Sequence, residues 1–514
     1  MIHEIRKLAA LGVAVFLVGC NTETYRPVAF PEHGPQSEAG VPRVFGNNMV
    51  LQQGAMTPVW GWANDGTVVT VKFRDQIVSA VAKDGQWVAQ LHNLTPGGPD
   101  TLTISAANTI VFTNVLVGEV WVAGGQSNME FPLRNSFESA DDIAAATNSM
   151  IHIMKVPHTR LDDPTNDVRA DWKEATPETV PGISAVGYYF ARDLQAKLQV
   201  PIGIIESDWG GTPAESWMDY DFLNNNPHWE SEIIKEWGVE DHQYRDRLIA
   251  YRKKKQAAQE SNTEFTNRPP SRPWKPAELY NGMIAPLVHY GIKGVIWYQG
   301  ENNAGSFERA EQYHQLFPGL IRDWRAQWGE GDFPFLLVQL APFMAIKDQP
   351  EESAWASLRE AQLDATQSLP NVGMAVITDV GMEHNIHPTK KKPVGDRLAL
   401  AAEAIAYHQP IEYSGPIYKG MRREGMHIVL TFDHVGGGLE ARDGDLKGFA
   451  IAGPDHKFQW ALAQIQEPDK VIVYSPNVLD PVAVRYGWAN YPVVNFWNKA
   501  GLPASPFRTD DFAR

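Results

Sequence analysis

Apolar, largely β-branched runs alternate with helix-like segments through the middle of the chain. The runs are VLVGEVWVAG, PIGIIESDWGG, GIKGVIWYQGE, FPFLLVQLAP and VGMAVITDVG, and each ends in glycine or polar residues. Segments with helical periodicity, such as AVGYYFARDLQAKLQ, lie between several of them. Strands that are apolar on both faces and alternate with helices are typical of a doubly wound parallel sheet. We therefore predict an α/β domain over residues 114–411, with a ligand crevice at the carboxyl ends of its strands.

The regions on either side of this domain show the period-two alternation of strands. Short alternating runs separated by turn residues predict an N-terminal β-sandwich over residues 41–113. The same pattern returns over residues 412–514 and predicts a C-terminal β-rich module. A charged stretch at 219–275 is interpreted as an insertion into the α/β domain and is a candidate cover for the crevice.

The first 20 residues have the layout of an export signal, with a short basic start followed by an apolar run. Leu17-Val18-Gly19-Cys20 resembles a bacterial lipobox, which predicts lipidation of Cys20; an ordinary signal peptide with an incidental cysteine is the alternative. Residues 21–40 have little apolar periodicity and are interpreted as a tether. We expect an exported lipoprotein in the periplasm or at the outer membrane, touching the membrane only through its lipid anchor.

Charge and cysteine content exclude several classes of protein. The chain has 45 Lys and Arg against 61 Asp and Glu, a net charge of −16, so its surface repels a phosphate backbone and nucleic acid is not an expected partner. Cys20 is the single cysteine, which rules out a disulfide framework and a thiolate metal site within one chain.

The run that ends in WVA is followed at once by Gly-Gly-Gln-Ser-Asn, which places Ser127 at the carboxyl end of a predicted strand. A hydroxyl at that edge of a doubly wound sheet is where a nucleophile belongs, because neighbouring glycines let other groups approach closely. A serine nucleophile needs a base, and the oxyanion that forms needs hydrogen-bond donors.

The segment ITDVGMEHNIHPTKKK supplies the base, in a loop after another predicted strand. His387 is the favoured base, and His384 is its rival. Donors for the oxyanion come from two further strand ends, where ESDWGG offers Gly210 and Gly211 and WYQGENN offers the amides of Gln299 and Asn302.

This combination resembles the SGNH hydrolases, and more closely the sialate O-acetylesterase family of carbohydrate esterases. The motifs that carry the resemblance are Gly125-Gln126-Ser127-Asn128-Met129-Glu130, Trp209-Gly210-Gly211-Thr212-Pro213, Glu215-Ser216-Trp217, Trp297-Tyr298-Gln299-Gly300-Glu301-Asn302 and Ile386-His387-Pro388 with Lys392 and Gly395. They occur in order along the chain, and the flanking β-rich modules extend the likeness to most of the sequence beyond Val41.

The resemblance implies an esterase that removes O-acetyl groups from sugars through an acetyl-enzyme intermediate, without a metal or other cofactor. Ser127 would be the nucleophile and His387 the base. The oxyanion would be held by the N–H groups of Ser127 and of Gly210 or Gly211, together with an amide, for which Gln299 is favoured over Asn302. The substrate would be an acetylated oligosaccharide or polysaccharide, built on sialic acid or from plant or bacterial glycans.

One position departs from the superfamily pattern. The acid usually found three residues before the histidine is replaced by His384. Asp379 or Glu383 could orient the imidazole, or a backbone carbonyl could do so in a Ser–His dyad, and the sequence leaves these alternatives open.

The substrate pocket is predicted from residue types. Aromatic faces stack on sugar rings, and a guanidinium near the nucleophile could meet a carboxylated sugar or pair with Glu130. The predicted substrate-binding residues are Arg134, Trp209, Trp217 and Trp297, with Trp274 and Tyr298 nearby. Two other functions stay open, a non-catalytic glycan-binding lipoprotein and a lipase or thioesterase of the same superfamily.

Overall fold

A computed structural model describes residues 38–512 of the chain. The predicted signal peptide, Cys20 and nearly all of the tether lie outside the described residues and stay predictions. Within residues 38–512, no helix combines the length and the apolar composition needed to cross a bilayer.

The N-terminal module consists of short strands with alternating burial. In the third strand, for example, Val69, Val71 and Phe73 are fully buried while the residues between them face outward. The module's strands are β1 (Val50–Gln52), β2 (Gly54–Trp62), β3 (Val68–Phe73), β4 (Gln76–Val81), β5 (Gln86–Leu94) and β6 (Gly97–Ser105). Strands β4, β3 and β6 form one antiparallel sheet and β2 pairs with β5, as the period-two pattern predicts.

One long strand, β7 (Thr109–Gly125), joins this module to the α/β domain. Its first half pairs antiparallel with β6, and its second half lies in the parallel sheet of the next domain. The predicted boundary between residues 113 and 114 therefore falls inside a continuous strand. The buried apolar residues on both sides form one hydrophobic core.

The α/β domain is built on a parallel sheet around the second half of β7. Its other strands are β8 (Ile151–Lys155), β9 (Trp172–Glu174), β10 (Ile202–Asp208), β11 (Gly294–Tyr298), β12 (Phe335–Val338) and β13 (Val372–Ala375). The parallel strands have the order β13-β12-β11-β7-β10-β8, and β9 pairs antiparallel at the edge. Every residue of β10 to β13 is buried, so both faces of the sheet are covered and the α/β prediction is confirmed.

Helices cover the sheet. The helices of the domain are α1 (Ser127–Glu130), α2 (Ser139–Ala144), α3 (Ala185–Leu198), α4 (Tyr220–Asn224), α5 (Pro227–Trp229), α6 (Glu236–Glu260), α7 (Phe307–Trp328), α8 (Ala354–Ser368) and α9 (Lys392–Ile405). The long helices form two packed pairs, α3 with α9 and α7 with α8. Shorter 3₁₀ and π turns lie at Leu133–Asn135, Val180–Gly182, Ala214–Trp217, Glu230–Lys235, Tyr280–Ile284 and Ala285–Leu287.

The predicted insertion at 219–275 contains α4, α5 and α6. Helix α6 has no buried residue, as its charged sequence indicates, and the residues after it have no regular secondary structure until 276. The insertion therefore adds a largely solvated helix to the domain.

The C-terminal module has a separate hydrophobic core and is tied to the α/β domain by a buried arginine. The Arg359 guanidinium donates to the carbonyls of Leu340 and Ala341 in the α/β domain and of Ala489 and Asn490 in the module. The module's strands are β14 (Ile417–Glu424), β15 (His427–Asp433), β16 (Leu439–Ala441), β17 (Phe449–Ala452), β18 (Phe458–Trp460), β19 (Leu462–Gln466), β20 (Lys470–Tyr474), β21 (Ala483–Tyr486), β22 (Phe496–Asn498) and β23 (Phe507–Arg508).

The chain leaves β7 through a tight turn at Gly125. Gly125 has φ +136°, a conformation that disfavours residues with a side chain. A Cβ atom at this position would lie 2.2 Å from the Tyr298 carbonyl oxygen of the neighbouring strand β11. The glycine thus allows β7 and β11 to stay paired to their last residues, directly before Ser127.

We predict that Gly125→Ala lowers the free energy of unfolding by roughly 3 kcal/mol or more, because it combines backbone strain with a clash against a carbonyl that cannot rotate away. Gly329→Ala is the matched control. Gly329 ends α7 with φ 68° and has open space around its Cβ position, so its cost is about 1 kcal/mol. Chemical denaturation measures both values, and equal losses would contradict the role given to the Tyr298 carbonyl.

Candidate active site

Ser127 is the first residue of α1, directly beyond the carboxyl end of β7. Strand β7 has β10 on one side and β11 on the other. The next strands along the chain, β8 to β10, form the half of the sheet on the first side, and β11 to β13 form the other half. A crevice opens at such a switch point in open α/β sheets. The three strand ends that sequence analysis selected therefore surround one serine.

His387 completes the pair, although 260 residues separate it from Ser127. Its Nε2 lies 2.8 Å from Ser127 Oγ, so the hydroxyl can donate to a neutral imidazole. The loop that carries His387 follows β13 and is anchored over the sheet edge. Asn128 Nδ2 donates to the Ile386 carbonyl at 3.0 Å, and the Thr389 carbonyl accepts from the Phe137 N–H at 2.9 Å.

The imidazole of His387 is half-buried, and two influences act on its protonation. Burial is the larger and lowers the pKa of His387, because the charged form loses hydration. The nearby positive charge of Lys391 lowers the pKa further. Both favour the neutral ring, which is the form that accepts a proton.

The prediction of an orienting acid is corrected by the structure. Asp379 pairs through both oxygens with the Arg397 guanidinium at 2.6 and 2.8 Å. Glu383 accepts from the Ile346 N–H at 3.0 Å and lies 3.7 Å from His384. Among residues 38–512, neither a carboxylate nor a backbone carbonyl accepts a hydrogen bond from Nδ1 of His387, so the arrangement is a Ser–His pair. The rival base, His384, has 85% of its side chain exposed.

The predicted oxyanion donors differ in where the structure places them. The prediction that the Gln299 amide holds the oxyanion is wrong. This amide is fully buried and donates to the Thr212 carbonyl and to Asn303. Gly210 N–H already donates to Glu130 Oε2 at 2.7 Å.

The other predicted donors keep unbonded hydrogens within residues 38–512. Ser127 N–H lies at the start of α1, where helical N–H groups lack intrahelical partners. Asn302, the reserve amide, is exposed and donates to the carbonyl of Gly211, itself an exposed residue of the second strand-end turn. Its second amide hydrogen and the Gly211 N–H make no hydrogen bond within residues 38–512.

A cavity of about 250 Å³ opens at the Ser127–His387 pair. It is lined by Ser127, His387, Glu130, Phe131, Arg134 and Lys155, among others. Arg134 is exposed, and within residues 38–512 it donates only to the Pro181 carbonyl, at 3.3 Å, so it does not pair with Glu130. Lys155 is paired with Glu206, a buried carboxylate on β10.

The predicted aromatic contacts divide into two groups. Trp217 and Trp297 are fully buried and pack edge to face at 6.1 Å, so their assignment to the substrate was wrong, and Tyr298 is buried in the same core. Trp209 is half-buried; its ring centre lies 4.2 Å from that of His158, on which it stacks, and 5.3 Å from that of Trp274. Because His158 also contacts Glu130, a residue that lines the cavity, the assignment of Trp209 to the substrate stays a prediction.

Sequence analysis missed three polar residues of the site, His158, Asp208 and Lys155. Glu130 contacts His158 at 3.3 Å, and the buried Asp208 lies beside both. Burial raises the pKa of Asp208, and the negative charge of the adjacent Glu206 raises it further. The usable signal was position, since Lys155 is the last residue of β8 and Asp208 the last residue of β10.

Comparison with known proteins gives the same class of enzyme. A family profile described as "Carbohydrate esterase, sialic acid-specific acetylesterase" matches residues 270–404. The sialate O-acetylesterase of Mus musculus is 30% identical over 521 residues, which cover 90% of this chain and 92% of the mouse protein. The Homo sapiens protein of the same name is 28% identical over 510 residues, 90% of each chain.

A solved structure extends this likeness to the whole fold. The crystal structure of a carbohydrate acetylesterase from Xanthomonas citri superposes with a TM-score of 0.80 and 39% identity, covering 92% of this chain and all of that one. The fold, the site geometry and the relatives together define a carbohydrate O-acetylesterase. This confirms the predicted esterase rather than the two alternatives, a glycan-binding protein and a lipase. Within this class, the chain belongs to the sialate O-acetylesterase family.

The lowered pKa of His387 predicts the pH dependence of the esterase. Protonation of His387 blocks proton transfer from Ser127, so kcat/KM falls on the acid side as pH drops through the pKa of His387 in the free enzyme. We expect this acid limb to lie below the ordinary imidazole value of about 6.5. A pH profile of kcat/KM with a small acetate ester measures it, and a midpoint above 6.5 would indicate a carboxylate partner instead.

Proposed function

We propose that this enzyme hydrolyses O-acetyl esters of carboxylated sugars, with Ser127 as nucleophile and His387 as general base, through an acetyl-enzyme intermediate. The observation that carries the proposal is the 2.8 Å contact between Ser127 Oγ and His387 Nε2, in a cavity that also exposes the guanidinium of Arg134, which forms no ion pair within residues 38–512.

The first half of the reaction forms the acetyl-enzyme. Ser127 Oγ attacks the acetyl carbonyl carbon while His387 Nε2 takes the hydroxyl proton. The carbonyl oxygen becomes an oxyanion beside Ser127 N–H, and Gly211 N–H and the second amide hydrogen of Asn302 are the further candidate donors from the neighbouring strand-end turns. When the ester bond breaks, the imidazolium returns its proton to the sugar oxygen, and the deacetylated sugar leaves.

The second half repeats the same steps with water. His387 takes a proton from a water molecule, whose oxygen attacks the acetyl carbon bound to Ser127. The second tetrahedral intermediate collapses, Ser127 Oγ regains the proton from His387, and acetate is released. The atoms balance as one ester and one water in, one hydroxyl and one carboxylic acid out.

The charge of the cavity supports a carboxylated sugar. The exposed Arg134 offers a planar set of donors that matches a carboxylate, and its neighbour Glu130 is already bonded to His158 and Gly210. Lys155 lines the same cavity, with its charge paired to Glu206. The names of the mammalian relatives specify sialate, a sugar acid, as their substrate class. We therefore place an O-acetylated sialic acid first among the substrates.

Ser127→Ala is expected to reduce acetate release by about 10³-fold or more, because loss of a nucleophile in such a pair removes the covalent route. Rapid quenching of the wild-type enzyme during turnover, followed by peptide mass spectrometry, is expected to find the acetyl group on Ser127. His384→Ala is the control for the base and is expected to retain full activity, while His387→Ala loses it. Acetate release that survives in Ser127→Ala would contradict the mechanism.

Arg134→Gln tests the carboxylate. A hydrogen bond to a charged group contributes about 1.5–3 kcal/mol, so the KM for an O-acetylated sialic acid is expected to rise roughly tenfold or more. The KM for a neutral acetylated sugar or for p-nitrophenyl acetate is expected to stay the same. An equal rise with charged and neutral substrates would show that Arg134 does not select a carboxylate.

A further inference from the structure

A buried polar network of three residues, Lys391, Asn128 and Glu301, adjoins the catalytic pair. Asn128 follows Ser127 in α1, Lys391 lies four residues after His387, and Glu301 lies in the turn after β11. Their exposed fractions are 0%, 1% and 7%. Burying two ionisable groups is costly unless they are paired and hydrogen-bonded, so such a network calls for a physical explanation.

Asn128 is the centre of the network. Its Nδ2 donates to Glu301 Oε1 at 2.5 Å and to the Ile386 carbonyl at 3.0 Å, and its Oδ1 accepts from Lys391 Nζ. The same side chain thus joins the residue after the nucleophile to the peptide group directly before His387. Both ends of the catalytic pair are held through one amide.

The positive charge of Lys391 has no direct carboxylate partner among residues 38–512. Its ammonium lies 4.9 Å from the ring centre of Phe131 and 5.2 Å from that of Tyr298, two contacts that favour a cation. Burial is the main reason that the pKa of Lys391 falls to about 7, and the charge of Glu301 opposes that fall. In mildly acidic solution, where His387 titrates, Lys391 therefore carries its proton.

The surroundings of His387 make Lys391 the prominent charge. The titratable and charged groups that face the His387 site are Ser127 and Glu130 from α1, Arg134 from the turn after it, Lys155 from β8, Tyr298 and Glu301 from β11 and its turn, and Lys391 from the loop of His387 itself. The two carboxylates near it in sequence, Asp379 and Glu383, are bonded elsewhere. Lys391 is the one whose charge acts on the imidazole most strongly.

We propose that Lys391 is a positioning residue of this esterase, which holds the His387 loop to Ser127 through Asn128 and places a buried positive charge beside the Ser127–His387 pair. The inference rests on the proposed Ser127–His387 mechanism. A cation makes the imidazole a weaker base, but it keeps more of the ring neutral in mild acid. It also makes the imidazolium a better acid toward the leaving sugar oxygen.

The test compares the wild type with a variant that lacks the buried charge. Lys391→Met alone would leave the Glu301 carboxylate buried without a nearby cation, so it is combined with Glu301→Gln, which keeps an acceptor for Asn128. With the positive charge gone, the acid limb of kcat/KM of this double variant is expected about half a pH unit or more above that of the wild type. Lys392→Met, at a half-exposed lysine paired with Asp396, is the matched control and leaves the limb unmoved.

The midpoint of the acid limb separates an electrostatic role from a structural one. Partial unfolding scales the whole profile without moving its midpoint, so the comparison holds for a destabilised variant. Identical midpoints for the wild type and the double variant would overturn the inference. That failure is distinct from failure of the proposed function, because Ser127→Ala and His387→Ala would still abolish acetate release.

Discussion

The pairing of β7 with both of its neighbours is the constraint on which the site depends. This strand of 17 residues leaves an antiparallel sheet, enters the centre of a parallel one and ends between β10 and β11. Its register aligns Gly125 with Asp208 and with Tyr298, so three polar turns begin at the same level. Because parallel strands end at one edge, Ser127 emerges where the other two turns and the His387 loop already converge.

Positively charged side chains lie around Ser127 and His387. Lys391 acts from the protein interior on the imidazole, while Arg134 and Lys155 face the cavity. Three of the carboxylates around the site are engaged by other groups: Asp379 by Arg397, Glu206 by Lys155, and Glu130 by His158 and Gly210. The site therefore differs from a triad in which an anion steadies the imidazolium, and its preference for a neutral base follows from the same arrangement.

Much of the fold could be predicted, because strand burial leaves a periodic trace in the sequence. The apolar runs became the buried parallel strands, and the charged stretch became the exposed helix α6. The junction at residues 113 and 114 could not be found, since β7 is apolar on both sides of it and pairs with different partners in its two halves. Pairing partners far along the chain leave no local signal.

For the site, the sequence by itself determined which turns meet, including those of Ser127 and His387, because polar groups collect where buried strands end. The tertiary structure alone decided which side chains of those turns face the crevice. Gln299 and Trp297 point into the core, Asp379 is bonded to an arginine from α9, and Lys391 enters the interior beside Asn128. The reason is physical: direction and pairing depend on packing against elements brought together only by folding, and a linear pattern contains no record of those contacts.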